Sequence, residues 1–170
     1  MYYHSLSIGF VEIPKINASL NIYTVGCPFK CKGCHNPDLQ DLNHKDRKKL
    51  SISDIIIPIE NSKNFINGIC WLGGEPLFQF NDFLKINLEI REKFPKINIS
   101  LYTGYTLEKI KKEYELEYKS LQHIYLNYII DGQWNGYPIS HEKTNQKIYK
   151  FDHNLNDYIQ ISYDNFKNVK

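Results

Sequence analysis

Long apolar runs are missing from this sequence of 170 residues. No stretch approaches the roughly 18 to 20 consecutive apolar residues that a membrane-spanning helix needs, so we expect no attachment to a membrane. The first residues also lack a basic segment followed by an apolar run, which is the pattern of a secretory signal peptide. These absences favour a cytoplasmic location.

A strong excess of charge is missing too, since the formal net charge is only +2. Nothing in this balance calls for nucleic acid or an anionic membrane as a partner. The sequence also has no internal repeat, no Gly/Ser linker and no low-complexity tract. Its length fits one domain, which we expect over residues 1–170, with a core at 18–151 and a tail at 152–170 whose role stays open.

Cysteine is scarce, and its four positions are uneven. Cys27, Cys31 and Cys34 are close together, whereas Cys70 stands alone between Ile69 and Trp71. A disulfide framework would spread its cysteines along the chain, while clustered cysteines in a reducing compartment indicate a metal site. We interpret Cys70 as a buried core residue, as free cysteines usually are.

The pattern of apolar residues predicts alternating strands and helices. Predicted strands are the segments rich in β-branched and aromatic residues: Leu20–Val25, Gly68–Leu72, Ile97–Thr103 and His123–Ile130. Helical spacing predicts one helix from Phe80 to Phe94, another through Leu107, Ile110 and Tyr114, and a short one over 54–57 capped by Ser53. This alternation is typical of an α/β fold with a parallel sheet. Residues 143–151 could add a strand or extended arm, and spacing alone does not decide between an open sheet and a partial barrel.

Glycine or a polar residue follows each predicted strand. The strand ends read Gly26-Cys27, Gly73-Gly74-Glu75-Pro76, Thr103-Gly104 and Asp131-Gly132. Ligands of parallel sheets and barrels bind at the carboxyl ends of the strands. The sequence therefore predicts one shared site along this edge.

The cysteine loop, residues 26–37, brings three thiolates within reach of one inorganic centre. Iron–sulfur clusters prefer thiolates and usually take four, so three protein ligands would leave one iron open to a substrate or cofactor. A closed zinc site formed by the three cysteines and His35 is the alternative. It is disfavoured because His35 directly follows Cys34, so its ring would have to turn back onto the same metal.

The turn Gly73-Gly74-Glu75-Pro76 follows a strand and precedes a helix. Two glycines let the backbone approach a ligand closely, and exposed amides and carbonyls there suit a carboxylate and an ammonium group. Glu75 adds a charge suited to an amine. The simpler interpretation is an ordinary strand-to-helix turn.

Together, the two motifs resemble those of the radical S-adenosylmethionine enzymes, which carry a Cys-x₃-Cys-x₂-Cys loop after the first strand and a Gly-Gly-Glu-Pro turn after the second. Within that superfamily the chain is most similar to the activating proteins of anaerobic (class III) ribonucleoside-triphosphate reductase. The similarity runs from Tyr23 to Tyr149 and includes four further segments: Gly33-Cys34-His35-Asn36, Tyr102-Thr103-Gly104-Tyr105, Ile130-Asp131-Gly132-Gln133 and Thr144-Asn145-Gln146-Lys147.

Two departures from the family pattern are present. An Asn/Asp-Gly-Pro-Gly-x-Arg segment usually precedes the first strand, and here residues 12–17 read Glu-Ile-Pro-Lys-Ile-Asn. The position before the third cysteine, which is often aromatic, is Gly33. Neither departure affects the three cysteines.

The resemblance implies a parallel sheet curved into a small partial (β/α) barrel. It implies a [4Fe-4S] cluster on Cys27, Cys31 and Cys34, which are also the catalytic residues. Bound S-adenosylmethionine would contact Gly33, Cys34 and His35 on its adenine side, Gly73, Gly74 and Glu75 at its methionine end, and strand-end residues Thr103 and Asp131. A low-potential donor such as flavodoxin would reduce the cluster. Cofactor cleavage would then place a glycyl radical on the large catalytic subunit of the anaerobic reductase.

Two other functions remain compatible with the sequence. One is a radical enzyme that acts on a small molecule or a peptide, such as a 7-carboxy-7-deazaguanine synthase-like protein. The other is a zinc-binding interaction module without enzymatic activity. The short chain favours the activating protein, because a small partial barrel leaves an open side for a protein substrate.

Overall fold

The computed structural model describes residues 1–11, 13 and 15–163. These residues form an α/β fold, as predicted. The strands are β1 (Tyr2–Gly9), β2 (Ser19–Thr24), β3 (Lys48–Lys49), β4 (Gly68–Gly73), β5 (Asn98–Tyr102), β6 (Tyr128–Asp131), β7 (Lys147–Asp152) and β8 (Asp157–Ile161). The α-helices are α1 (Ile52–Asn61), α2 (Phe80–Lys93), α3 (Leu107–Glu113) and α4 (Glu115–His123).

The strands form one sheet in the order β3-β1-β2-β4-β5-β6-β7-β8. The central strands β2, β4, β5 and β6 are parallel, and the flanking pairs on both sides are antiparallel. Among the described strands, β3 and β8 are the two edges, so the sheet is open. The predicted parallel arrangement of the four central strands is confirmed.

The structure contains flanking strands that the sequence did not predict. β1 and β8 were not predicted, because their half-exposed positions carry serine, histidine, glutamine and aspartate without a clear alternation. The strand or arm expected within residues 143–151 is β7. β8 belongs to the tail that begins at residue 152, and residues 164–170 of that tail lie outside the described residues. Glu12 and Pro14 of the atypical N-terminal segment also lie outside them.

Two predicted boundaries were wrong. His123 begins no strand: it is the last residue of α4, and β6 starts five residues later at Tyr128. Ser53 does not cap α1, because Ser51 does, in a reciprocal capping box with Asp54. The helix also continues through Pro58, since the buried side chains of Ile55 and Ile59 hold both sides of the proline against the core.

The two faces of the sheet have different neighbours. Residues Ile69 and Trp71 of β4 face the helices and belong to the main apolar core. The alternating residues Cys70 and Leu72 face the opposite side, with a smaller apolar cluster that includes Ile130. Cys70 is fully buried, as predicted. No helix in the described residues is long and apolar enough to cross a membrane.

Arg91 fastens α2 to the amino-terminal ends of β5 and β6. Its guanidinium donates hydrogen bonds to the carbonyl oxygens of Ile124 (3.1 Å) and Tyr125 (2.7 Å) and to Oδ1 of Asn127 (2.9 Å). The planar group makes several such bonds at once, which a lysine could not reproduce. These bonds lie at the end of the strands opposite to the predicted site.

We expect Arg91→Met to lower the free energy of unfolding by roughly 2 to 4 kcal/mol, because several oxygen atoms, most of them partly buried, lose a charged donor. The matched control is Lys93→Met, since Lys93 is half-exposed and pairs with the exposed Glu60, an interaction worth less than about 1 kcal/mol. Urea unfolding followed by circular dichroism measures both. Equal losses in the two variants would contradict the role of Arg91.

Candidate functional site

A cavity of about 410 Å³ opens at the carboxyl ends of the parallel strands. Eight of the ten predicted site residues line it: Cys27, Cys31, Cys34, His35, Gly73, Gly74, Glu75 and Thr103. Gly33 and Asp131 do not line it, although Gly132, next to Asp131, does. The structure therefore brings the cysteine loop and the glycine turn to one place.

The cysteine loop is held by backbone hydrogen bonds at its start. The amides of Gly26 and Cys27 donate to the carbonyl oxygens of Leu39 (2.8 Å) and Gln40 (3.0 Å). Gly26 (φ 86°) and Gly33 (φ 70°) adopt left-handed backbone conformations that favour glycine. The loop therefore wraps tightly, with its three cysteines free and half-buried.

The donor set fits an iron–sulfur cluster. Three free thiols line one cavity, and soft thiolates are the ligands such clusters prefer. Burial raises the pKa of Cys27 to about 11, and the negative charge of Glu75 adds to the effect, so ionisation of this thiol calls for a bound cation. The ring of His35 packs on Trp134, with centroids 4.2 Å apart.

Phe29 anchors the cysteine loop to the end of β5. Its ring lies edge-on to Tyr105, with centroids 4.9 Å apart. The same ring fills the space beside Gly104, where an added Cβ would lie only 2.4 Å from Phe29 Cδ2. The absence of a side chain at Gly104 thus lets the loop pack against the neighbouring strand end.

The glycine turn packs directly beneath the cysteine loop. The amide of Gly74 donates to Thr24 O, and the amide of Glu75 donates to Gly26 O, each at 2.8 Å. A Cβ on Gly74 would lie 2.6 Å from Gly26 O, and Gly73 has a φ of 101°. Both glycines therefore let the turn pack against the end of β2 and the start of the cysteine loop, whether or not a ligand also approaches them.

Glu75 is buried, and its carboxylate accepts hydrogen bonds from several neighbouring donors. Its carboxylate accepts hydrogen bonds from the amides of Leu77 (3.0 Å) and Gly104 (2.7 Å) and from the hydroxyl of Thr103 (3.0 Å). Burial raises its pKa to about 7, and these hydrogen bonds oppose the rise. The Glu75 side chain therefore links the end of β4 to Thr103 and Gly104 at the end of β5.

Asp131 makes a similar bridge on the next strand of the sheet. Its carboxylate accepts from the amide of Leu107 (2.6 Å), at the start of α3, and from that of Lys147 (3.3 Å), at the start of β7. It is 2% exposed, and burial raises its pKa. Asp131 therefore fixes the loop that begins at Gly132, which lines the cavity.

Several cavity residues were missed by the sequence prediction. Gln133 Oε1 lies 3.9 Å from Cys31 Sγ, and Trp134 stands opposite His35. Gln133 was named only as part of the Ile130-Asp131-Gly132-Gln133 segment and Trp134 directly follows it, so treating that segment as a site motif and extending it by one residue would have found both. Asn21 lines the opposite side of the cavity from the middle of β2, and no motif marked it.

We expect Gly104→Ala to lower the iron content of the reconstituted protein, because the new Cβ displaces Phe29 and with it the cysteine loop. Such overpacking costs about 1 to 3 kcal/mol. The double variant Gly104→Ala/Phe29→Leu, which removes the ring edge, should recover much of the loss. Iron and sulfide analysis measures loading, and a Gly104→Ala protein with full iron content would contradict the proposed packing.

Comparisons with known proteins agree with this geometry. Residues 18–156 match the family model described as a 4Fe-4S single cluster domain. The anaerobic ribonucleoside-triphosphate reductase-activating protein of Enterobacteria phage T4 is 30% identical over 116 residues, which is 66% of this chain and 69% of that protein. The protein of the same name from Escherichia coli K12 is 28% identical over 78% of this chain and 84% of its own length.

A third relative, a pyruvate formate-lyase-activating enzyme from Staphylococcus aureus USA300, is 27% identical over 70% of this chain and 47% of its own length. The family match covers most of the 170 residues and includes every predicted site residue. The chain belongs to the 4Fe-4S single cluster domain family of radical S-adenosylmethionine activating enzymes, whose cofactors are a [4Fe-4S] cluster and S-adenosylmethionine.

Proposed function

We propose that this enzyme generates the glycyl radical of an anaerobic ribonucleoside-triphosphate reductase, acting on its large catalytic subunit. The observation that carries the proposal is the shared cavity, in which three free cysteines and the glycine turn meet at one sheet edge. The two reductase-activating relatives support this choice of partner. The pyruvate formate-lyase-activating relative makes pyruvate formate-lyase the competing partner.

Cys27, Cys31 and Cys34 are the proposed cluster ligands. Three protein thiolates would leave one of the four irons for S-adenosylmethionine. When bound there, the cluster would supply the electron for reductive cleavage of the sulfonium bond. The protein itself binds, orients and shields.

Other residues would hold the cofactor or support those that do. The backbone at Gly73 and Gly74 is assigned to the methionine end, and Gly33, Cys34 and His35 to the adenine side. Glu75, Thr103 and Asp131 would support the cofactor site indirectly. The carboxylates of Glu75 and Asp131 accept hydrogen bonds from backbone amides, and the hydroxyl of Thr103 donates to Glu75.

The ligand assignment predicts a contrast between two cysteines. Cys31→Ala should abolish cofactor cleavage, because a cluster needs all three thiolates. Cys70→Ala, in the fully buried core cysteine, should leave cleavage largely intact. The measurement is 5′-deoxyadenosine production by the anaerobically reconstituted, dithionite-reduced proteins. Equal losses in both variants would refute the three-ligand assignment.

The partner is tested by electron paramagnetic resonance of the same reduced protein with S-adenosylmethionine. Adding the cofactor should change the cluster signal, and adding the reductase large subunit should then yield a glycyl radical signal. Flavodoxin should replace dithionite as the electron donor. A radical on pyruvate formate-lyase alone would change the partner, and a colourless zinc protein would overturn the enzymatic function.

A further inference from the structure

Two histidines and an aspartate meet outside the cavity, where β1 passes the loop that leads into β3. His4 belongs to β1, and His44 and Asp46 belong to the loop at residues 41–47. Each offers a ring nitrogen or a carboxylate oxygen, and these three atoms all lie within 4.8 Å of one another. The two imidazole rings are nearly perpendicular, with centroids 5.1 Å apart. None of the three residues lines the cavity at the cysteines.

The first of these residues lies at an irregularity of β1. The pairing of β1 with β2 shifts register between Tyr3 and Ser5, so His4 is the additional residue of a β-bulge. A bulge changes the direction of a side chain relative to a regular strand, and bulges are common beside functional sites. The local backbone of β1 therefore sets the position of His4 apart from that of its neighbours.

The loop at residues 41–47 is held beside β1 by its own contacts. The amide of Arg47 donates to His44 O at 3.0 Å. The Arg47 guanidinium donates to two oxygen atoms of the same loop, each at 2.7 Å, and lies 4.5 Å from the centre of the Tyr2 ring on β1. The following strand, β3, then pairs with the start of β1. These contacts preorganise the loop, and with it His44 and Asp46, beside the strand.

The hydrogen bonds of the two rings are compatible with metal binding. His4 Nδ1 lies 3.1 Å from Ser5 Oγ. A histidine that binds a metal through Nε2 needs such a partner for its Nδ1–H, because that bond fixes the tautomer. His44 Nδ1 accepts from the amide of Asp46 at 3.1 Å, so this nitrogen carries a lone pair. A metal bound there would replace the amide hydrogen, next to the carboxylate of the same aspartate.

The donor atoms determine the class of ion. Imidazole nitrogens favour Zn²⁺ and other first-row transition metals, whereas Mg²⁺ and Ca²⁺ prefer oxygen ligands. Two imidazoles and one carboxylate leave a coordination position for water, as in open zinc sites. The neighbouring Lys45, Lys48 and Lys49 are exposed, so solvent and salt screen their repulsion of a bound cation.

We propose that His4, His44 and Asp46 bind a divalent transition metal ion of the zinc class, at a site separate from the cluster cysteines. The bound ion ties the loop at residues 41–47 to β1. This loop directly follows the carbonyl groups that hold the start of the cysteine loop. The ion therefore strengthens the support of the cysteine loop from outside the cavity.

Zinc binding to the tag-free enzyme, with its [4Fe-4S] cluster reconstituted so that the cluster cysteines are occupied, tests the site. Equilibrium dialysis followed by zinc and iron analysis should give about one zinc ion per chain at an unchanged iron content. His4→Gln and Asp46→Asn should each weaken zinc binding at least about tenfold, because even the loss of a ligand's hydrogen-bond partner typically costs roughly 10- to 100-fold. Asp46 is exposed, so its replacement carries little risk to the fold.

The matched control is His123→Gln, in an exposed histidine at the end of α4, which should bind zinc like the wild type. Thermal unfolding gives a second measurement: zinc should raise the midpoint of the wild type but not of His4→Gln or Asp46→Asn, since an ion that binds only the folded state stabilises it. Zinc uptake matched by loss of iron would place the ion at the cysteines and overturn the inference. No zinc binding by the wild type, or equal binding by both site variants, would also overturn it.

Discussion

Glu75 is 1% exposed, yet its carboxylate accepts hydrogen bonds from the amides of Leu77 and Gly104 and from the hydroxyl of Thr103. Its own amide donates to Gly26 O, at the start of the cysteine loop. One residue therefore joins the ends of β4 and β5 and supports the loop above them. A buried carboxyl group without these donors would be strongly destabilising, so the strand ends and the loop depend on one another.

The polar side chains around the cavity differ in how far the protein itself engages them. Glu75, Thr103 and Asp131 look like binding residues in the sequence, because they are polar and follow strands. In the structure their side chains hold backbone amides of the chain itself. The three thiols, the glycine turn and His35 line the cavity beside these supporting groups. A site built mainly from cysteines and main chain requires rigid support, and the buried carboxylates provide it.

The parallel centre of the fold and the meeting of the cysteine loop with the glycine turn could be predicted from the sequence, because both depend on local patterns. The four central strands are largely buried and rich in β-branched and aromatic residues, and each ends in a recognisable glycine or polar motif. The flanking strands β1 and β8 carry no such pattern, since they are half-exposed and held by pairing with neighbouring strands. Asn21 was missed for a related reason, because its place in the cavity lining depends on how the strands assemble.

The two faces of the sheet explain how a short chain can serve an activating enzyme. Helices α1 to α4 pack against one face and supply most of the apolar core. The other face has only a small apolar cluster among the described residues, which includes Ile16 and Ile139 from loops, and the cavity lies beside it. Additional helices or loops packed over this face would close the space in front of the cysteines. With that space left open, a macromolecular substrate of the kind proposed above could reach the cysteines, and its own surface would then help to exclude water.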